Sequence, residues 1–291
     1  KWIDYVSPQS VSEATQLLAE HGEKARVLAG GTDILVQLRA DRRQLDLLVD
    51  VKAIPELSQI SYDPASGLTL GAAVPCYKIY SDAAVSSAYP CLIDAASIIG
   101  GIQIQGRASI GGNLCNAAPS ADAVPALIAL GATCNIAGAN GSREVPVEDF
   151  CTGPGESVLR PDELLVSLHI PPSPSNFGAR YIRFIPRNEM DIAVAGAGVS
   201  VVLSDDKGSI ESARVALASV APTPLFVKAA GEALEGQPVD DGAIERAAQL
   251  AGEAARPITD MRGTIEYRKH LCQVLTRRAL KTAIQRAKQA S

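Results

Sequence analysis

Hydrophobic positions divide the first part of the chain into short alternating elements. Apolar residues recur at helical spacing from Val11 to Leu18, between Ser10 and Gly22, which predicts a helix over residues 10–21. Short apolar runs bounded by polar residues or glycine predict strands. The further predicted elements are strands at 25–29, 47–51 and 68–72 and a short helix at 34–38. Because strand and helix alternate, we expect an α/β layer arrangement over residues 1–75.

The middle of the chain is less regular. Residues 76–100 have helical spacing, whereas Gly, Asn, Ser and Pro recur every few residues over 101–122 and exclude a long regular element there. An irregular stretch of this kind inside a compact domain is usually functional. After it, the pattern predicts a helix at 123–130 and strands at 132–137, 143–147, 164–170 and 179–185.

A proline-rich segment at 171–175 marks a change of pattern. Two apolar runs at 192–203 and 210–220 flank a turn sequence at 205–208, which predicts an antiparallel hairpin. Helices are then predicted at 224–235, 241–254 and 264–288. Strands followed by helices indicate an α+β domain, so we expect one domain over residues 1–175 and a second over 176–291.

Composition and charge exclude several classes of protein. The chain has 291 residues, of which 47% are hydrophobic and 20% charged, as in ordinary globular proteins. The formal net charge of −5 argues against nucleic acid as a partner. No stretch approaches the ~20 apolar residues that a membrane span needs. The first residues also lack a signal pattern, so we expect a cytoplasmic protein.

The cysteines are scattered along the chain. The nearest two, Cys76 and Cys91, are fifteen residues apart, so no CxxC motif exists and no local motif can hold a metal cluster. Cysteines distributed in this way over predicted strands and helices are typical of reduced thiols in the cytosol.

A first glycine motif, AGGTD at 29–33, follows a predicted buried strand and precedes a predicted helix. Glycines let a backbone approach a ligand closely, and the start of a helix offers free N–H groups and the positive end of the helix dipole. This combination suits a pyrophosphate. The alternative is a plain strand-turn-helix connection in which Thr32 or Asp33 caps the helix.

A second glycine motif, ASIGGNLCN at 108–116, leads into PSAD at 119–122. Its small hydroxyl and amide side chains can bond phosphate or ribose oxygens, and Asp122 can accept hydrogen bonds from a ribose or an adenine amine. The alternative is an ordered loop held by its own side chains. Two such loops in one domain predict a dinucleotide that is held from two sides. A Rossmann fold is excluded, because Val201 stands where the GxGxxG pattern that begins at Gly196 needs its last glycine.

Other chemistry finds little support in the sequence. No histidine is placed near a serine or cysteine in a motif for nucleophilic catalysis. Cys115 lies in the second glycine motif, and a small buried thiol is a better interpretation than a reactive one. Arg187 and Asp191 are spaced to form an ion pair. The basic run at 262–281 is either a solvated helix face, which we favour, or a docking site for an acidic partner.

Four motifs, in order, resemble the FAD-binding medium subunit of molybdenum hydroxylases, the superfamily of xanthine dehydrogenase and aerobic carbon monoxide dehydrogenase. They are AGGTD at 29–33, ASIGGNLCNAAPSAD at 108–122, RNEMDIAVAG at 187–196 and DMRGTIEYRKHLCQVLTRRAL at 260–280. The resemblance covers essentially the whole chain.

The resemblance implies an α+β fold with a two-lobed FAD domain of the vanillyl-alcohol oxidase (PCMH) type, its lobes at about 1–55 and 56–175. A small C-terminal domain like that of the carbon monoxide dehydrogenase flavoprotein follows. Asp122 would lie at the adenosine end, Leu165 would pack on adenine, and Arg183 and Ile192 would lie near the flavin. Ile99 takes the place of an aromatic residue that contacts the flavin. The remaining residues implied to bind FAD are Leu28, Ala29, Gly30, Gly31, Thr32, Asp33, Ile34, Gly101, Ile104, Ala108, Ser109, Gly111, Gly112, Asn113 and Asn116.

The function implied by the resemblance is electron relay. A large partner subunit would hold molybdopterin and act on the substrate, and a small partner with two 2Fe-2S clusters would pass electrons to FAD in this chain. The acceptor would be NAD, a quinone, a cytochrome or oxygen, and the assembly a dimer of heterotrimers. Asp33 favours an aromatic, heterocyclic or aldehyde substrate. Two alternatives remain open: a free-standing flavin oxidoreductase of the same fold, and a scaffold without catalytic function.

Overall fold

The computed structural model describes residues 2–290; Lys1 and Ser291, the outer bounds of the two predicted domains, lie outside the described residues. The helices are α1 (Val11–His21), α2 (Ile34–Arg39), α3 (Pro55–Ser58), α4 (Cys76–Ser81), α5 (Ala83–Ala88), α6 (Pro90–Ala96), α7 (Ile102–Gln105), α8 (Ile110–Cys115), α9 (Ala123–Ala129), α10 (Lys228–Glu232), α11 (Asp241–Ala254) and α12 (Ile265–Gln289). The strands are β1 (Asp4–Val6), β2 (Ala25–Leu28), β3 (Leu47–Asp50), β4 (Ile60–Asp63), β5 (Gly67–Gly71), β6 (Thr133–Gly138), β7 (Gly141–Pro146), β8 (Cys151–Gly153), β9 (Glu156–Ser157), β10 (Leu164–Ile170), β11 (Phe177–Phe184), β12 (Ala195–Leu203), β13 (Ile210–Ala218) and β14 (Leu225–Phe226).

The N-terminal part is a three-stranded parallel sheet in the order β1-β3-β2. Helix α1 connects β1 to β2 and buries Ala14 and Leu18 against the sheet. The side chain of Ser10 caps the start of α1 by accepting a hydrogen bond from the Glu13 N–H, and Gly22 ends the helix. The predicted helix at 10–21 and the predicted strands at 25–29 and 47–51 are therefore confirmed, within a residue or two at their ends.

A five-stranded antiparallel sheet follows, in the order β4-β5-β10-β6-β7. Its first hairpin contradicts the expected α/β arrangement of residues 1–75, because β4 and β5 pair antiparallel around a turn that ends at Gly67. Gly67 has a φ of +93°, a conformation that glycine adopts without strain. The polar alternation of β4 covers only four residues, which is too short a pattern to distinguish from a loop.

The C-terminal part is a four-stranded antiparallel sheet in the order β11-β12-β13-β14. The predicted hairpin between β12 and β13 is confirmed, with Lys207 in its turn at a φ of +58°. Helix α12 lies against β11 so closely that a Cβ at Gly178 would come within 2.0 Å of the Ala283 carbonyl oxygen. The predicted helix at 224–235 is wrong in its first half, where Leu225 and Phe226 pair with β13 as a short edge strand.

Helix α9 joins the two larger sheets. It packs on β12 and β13 and belongs to the core of the five-stranded sheet as well. At Gly198 on β12, an added Cβ would lie 2.3 Å from the carbonyl oxygen of Pro125 in α9, so the contact depends on glycine. The fold is thus α+β, as expected.

The basic run at 262–281 is less solvated than we expected. Arg268 is 4% exposed and donates to the carbonyl oxygens of Val194 and Ser219 and to Asp260. Farther along α12, Arg277 and Lys281 pair with acidic residues of α11. The interpretation of this run as a solvated face is therefore wrong for Arg268, which ties α12 to the sheet.

Candidate functional site

A cavity of about 540 Å³ lies between the N-terminal sheet and the five-stranded sheet. This volume is in the range typical of cofactor sites. The two glycine motifs form much of its wall. The residues implied by the resemblance that line the cavity are Ala29, Gly30, Gly31, Thr32, Asp33, Ile34, Ala108, Ser109, Gly111, Gly112, Asn113, Asn116 and Leu165.

The two glycine motifs touch each other at one side of the cavity. A Cβ added at Gly30 would lie 2.1 Å from the Arg107 carbonyl oxygen, directly before the second motif. A Cβ at Gly111 would lie 2.4 Å from the Ala72 carbonyl oxygen. At Gly112, by contrast, an added Cβ would meet only the Ser109 hydroxyl oxygen within 4 Å, at 3.0 Å. Two of these glycines therefore serve backbone packing, and Gly112 leaves room on the cavity side.

A short helix starts at each glycine motif. Ser109 caps α8 by accepting a hydrogen bond from the Gly112 N–H at 3.0 Å. Asp33 occupies the cap position of α2, but its side chain accepts no hydrogen bond there, so it does not cap the helix as the alternative interpretation supposed. Burial raises the pKa of the Asp33 carboxyl. Both helix starts face a shared cavity, which can accommodate an anionic group.

A chain of two hydrogen bonds connects the two sides of the cavity. Arg43 Nε donates to Gln37 Oε1 at 2.5 Å, and Gln37 Nε2 donates to Asn116 Oδ1 at 3.0 Å. All three residues line the cavity. These hydrogen bonds join α2, which follows the first glycine motif, to the end of the second motif.

Three arginines line the cavity, and the charges of two of them, Arg26 and Arg43, act on each other. Burial lowers the pKa of Arg26, and the positive charge of Arg43 acts in the same direction. In the part of the chain that the structure describes, neither residue has a carboxylate within ion-pair distance. Glu23, which also lines the cavity, acts on the pKa of Arg26 in the opposite direction. Two close positive charges favour an anionic ligand.

Glu163, Leu165 and Ile99 also line the cavity. Arg143 donates two hydrogen bonds to Glu163, both at 2.8 Å, and the Arg160 N–H donates a third at 2.8 Å. The Arg143 hydrogen bonds hold the pKa of Glu163 below its usual range. Leu165 is 4% exposed and offers an apolar surface.

Several residues implied by the resemblance lie outside the cavity lining. Leu28 is buried behind the first motif, with its Cδ1 atom 3.1 Å from where a Cβ of Gly31 would be. Gly101, Ile104 and Ile192 are also absent from the lining, which does include Ile99.

The segment around Gly101 contacts the loop that leads to Ile192. The Met190 N–H donates to the Gly100 carbonyl oxygen at 3.0 Å, and a Cβ at Gly101 would lie 3.0 Å from a carboxylate oxygen of Glu189. Ile192 is 49% exposed. The ion pair expected between Arg187 and Asp191 is present in this loop, at 3.2 Å.

Asp122 and Arg183 form a buried ion pair. Arg183 Nη1 lies 2.5 Å from Asp122 Oδ2, and the Tyr181 hydroxyl donates to Asp122 Oδ1 at 2.7 Å. Burial raises the pKa of Asp122, and Arg183 and Tyr181 oppose that shift. The resemblance assigned Asp122 and Arg183 to opposite ends of FAD, whereas the structure places their side chains in direct contact, and neither lines the cavity.

The Cys115 thiol lines the cavity and is half-buried. Burial raises its pKa to about 12, so it is a protonated thiol near neutral pH, although it is less buried than we expected. Among residues 2–290, no group of three or more His, Cys, Asp or Glu side chains is arranged to hold a metal ion. Within the same residues, no helix combines the length and apolar character that crossing a bilayer requires.

Sequence reasoning missed Arg26, Arg43, Arg160 and Glu163 as cavity residues. For Arg26 a signal existed, because it interrupts the apolar run just before the first motif. The other three reach the cavity from loops whose position no local pattern reveals.

Comparison with known proteins identifies the family. The chain matches the FAD binding domain in molybdopterin dehydrogenase over residues 1–173 and the CO dehydrogenase flavoprotein C-terminal domain over residues 180–283. It is 32% identical over 284 residues to the xanthine dehydrogenase FAD-binding subunit of Escherichia coli O157:H7, covering 97% of this chain and 96% of that protein. It is 33% identical over 287 residues to the carbon monoxide dehydrogenase medium chain of Afipia carboxidovorans, covering 98% of each.

The fold agrees with a solved structure. A chain of carbon monoxide dehydrogenase from Hydrogenophaga pseudoflava matches with a TM-score of 0.93 and 32% identity over 98% of both chains. The chain therefore belongs to the FAD-binding subunits of the xanthine and carbon monoxide dehydrogenase type of molybdenum hydroxylase, and it is an oxidoreductase subunit that binds FAD.

Proposed function

We propose that the chain is the electron-relay subunit of a heterotrimeric molybdenum hydroxylase. A small partner with 2Fe-2S clusters would deliver electrons from a large molybdopterin subunit, and FAD in this chain would pass them to an external acceptor. The observation that carries the proposal is the single cavity lined by both glycine motifs. FAD, when bound, supplies the redox chemistry, and the protein supplies binding, orientation and electrostatics.

The cavity residues suit some parts of FAD better than others. The glycine motifs offer backbone N–H groups for the pyrophosphate, with Arg26 and Arg43 as the nearby positive charges. Leu165 offers an apolar surface for adenine. We therefore assign the adenosine diphosphate portion to the cavity.

The flavin ring would extend past Ile99 to Gly101 and Ile104 at α7 and to the loop at Ile192. Ile102 of α7 is 70% exposed and Ile192 is 49% exposed. Exposed apolar side chains at a redox site support contact with a partner surface or an acceptor. The Asp122–Arg183 pair would stand at this end, behind these segments, as a fixed charge pair.

The finer features of the assembly are also proposals. We infer two domains at residues 1–175 and 176–291, with lobes at about 1–55 and 56–175 in the first, and a dimer of heterotrimers as the assembly. The six free thiols support a cytoplasmic location. Asp33 supports an aromatic, heterocyclic or aldehyde substrate at the partner's molybdenum, and NAD, a quinone, a cytochrome or oxygen remain as acceptors.

The test is reduction of the bound flavin by substrate with and without partner chains. The full chain should bind one FAD, and its visible flavin absorbance should bleach with substrate only when both partners are present. Bleaching by an organic substrate in the chain alone would contradict electron relay and favour a free-standing flavin oxidoreductase. A chain that binds no FAD would contradict both.

A further inference from the structure

The carbonyl oxygens of the first glycine motif are held by basic side chains on the side away from the cavity. Lys52 Nζ donates to the Ala29 carbonyl oxygen at 3.1 Å. Arg107 Nε donates to the next carbonyl oxygen, of Gly30, at 3.4 Å. Ala29 and Gly30 line the cavity, whereas Lys52 and Arg107 do not.

Because of peptide geometry, these two contacts also determine the direction in which the neighbouring backbone N–H groups point. In a planar trans peptide, the C=O of one residue and the N–H of the next point in opposite directions. Because the Ala29 C=O points to Lys52, the Gly30 N–H points to the other side of the loop. The same reasoning directs the Gly31 N–H away from Arg107. Successive N–H groups presented in this way form an anion-binding concavity.

The Lys52 ammonium group is itself held in place. It forms an ion pair with Asp50 at 2.6 Å, and Asp50 also accepts a hydrogen bond from the Lys52 N–H at 3.1 Å. The Tyr5 hydroxyl donates to the other carboxylate oxygen of Asp50. Asp50 is 5% exposed and stands at the end of β3, so the rigid parallel sheet fixes the direction from which Lys52 reaches the loop.

We propose that Lys52 is a positioning residue for FAD, which fixes the Ala29–Gly30 peptide plane so that the Gly30 N–H faces the pyrophosphate. Asp50 and Tyr5 hold the Lys52 ammonium in place, and Arg107 supports the next peptide in the same sense. Lys52 needs no contact with the cofactor in this role. The proposal rests on the proposed placement of the pyrophosphate at the first glycine motif.

The test measures FAD and ADP affinity of the full chain carrying Lys52→Met, which keeps the length of the side chain and removes its charge. Loss of a charge-assisted hydrogen bond of this kind should weaken the binding of both ligands roughly tenfold. ADP has the pyrophosphate but no flavin, so an equal loss for the two ligands locates the effect at the pyrophosphate. Lys52→Arg, which keeps a charged donor, should restore most of the affinity.

Lys207→Met is the matched control. Lys207 is also half-buried and also donates to backbone carbonyl oxygens, those of Lys288 and Ala290, at 2.9 and 3.0 Å, but in the C-terminal sheet. The Lys207→Met substitution should leave FAD and ADP affinity unchanged. Because Lys52→Met leaves the buried Asp50 carboxylate without its ion-pair partner, its thermal midpoint without FAD should lie below that of Lys207→Met. The affinities are therefore measured well below the midpoint of each variant, where the chain is folded, which separates a loss of positioning from a loss of folding.

Three results from the variants would overturn the proposal. They are parent-like affinity in Lys52→Met, loss of FAD affinity without loss of ADP affinity, and an equal loss in Lys207→Met. A parent chain that binds FAD but not ADP would also overturn it, while leaving electron relay intact. A parent chain that binds neither ligand contradicts the proposed function as well.

Discussion

At the scale of single residues, glycine has two different roles in the cavity wall. Gly30 and Gly111 have backbone of another segment where a side chain would be, whereas Gly112 faces the cavity. The sequence revealed these residues because each belongs to a contiguous motif with two adjacent glycines, which can be recognised without knowing the fold. Lys52 and Glu163 had no such signal, since a lone charged residue acquires its role only from a neighbour that is distant in sequence.

Gly30→Ala should separate the two glycine motifs, because its Cβ would lie 2.1 Å from a backbone oxygen. We expect the purified variant to retain less than roughly a tenth of the parent's FAD, as overpacking against backbone cannot be relieved by a rotamer change. The measurement is flavin per chain by absorbance. Gly106→Ala is the control, because a Cβ there meets nothing within 4 Å and its φ of −66° suits alanine. Parent-like flavin content in Gly30→Ala would show that the motifs need not touch.

At the scale of elements, local signals located most helices and long strands. Ser10, Asp240 and Thr264 each accept a hydrogen bond from a backbone N–H three residues later, and these caps mark helix starts that the sequence predicted. The elements that the sequence predicted wrongly are short. Residues 224–227 are Pro-Leu-Phe-Val, and phenylalanine and valine are enriched in strands. Pairing with β13 and the contact of Arg214 with the Phe226 ring, 4.1 Å from its centroid, hold Leu225 and Phe226 as a strand.

The Arg143–Glu163 contact should make the cavity wall sensitive to acid. The pKa of Glu163 is lowered in the folded state, so its contribution to stability is present above the unfolded pKa, about 4.3, and is lost as pH falls through the folded value. Acidification from pH 6 to 3.5 should therefore lower the unfolding free energy of the parent more than that of a chain without this carboxylate. Urea unfolding at the two pH values measures it.

Glu163→Gln should be less stable than the parent at pH 6 and should lose less stability on acidification. Glu211→Gln, on the exposed face of β13, is the control for removal of one carboxylate. An unchanged pH dependence in Glu163→Gln would mean that the hydrogen bonds from Arg143 do not stabilise the folded chain.

At the scale of the whole molecule, the FAD-binding part and the C-terminal part are joined by buried polar contacts as well as by packing. Asp94 of α6 accepts hydrogen bonds from Arg180 of β11 and from Arg286 of α12, the latter at 2.7 Å. Asp94 and Arg286 are 192 residues apart in the sequence, so no spacing argument could have paired them. The order of the motifs predicted both parts of the chain, but the contacts between them became visible only in the fold.

Asp94→Asn should weaken the connection between the two parts. Two guanidinium groups would lose a carboxylate that is largely buried, and we expect about 2 kcal/mol of destabilisation. Urea unfolding of the FAD-loaded chain measures it. Asp241→Asn removes the exposed partner of Lys281 and should have a far smaller effect. Equal effects of the two variants would show that Asp94 contributes no more than a surface charge.

The Asp122–Arg183 pair makes the two parts of the chain dependent on each other in evolution. The carboxylate belongs to one part and its guanidinium to the other, and both are buried. A change at either position therefore leaves a charge without its partner unless the other position changes as well. A chimera that combines the FAD-binding part of one relative with the C-terminal part of another has to inherit Asp122, Tyr181 and Arg183 as one set.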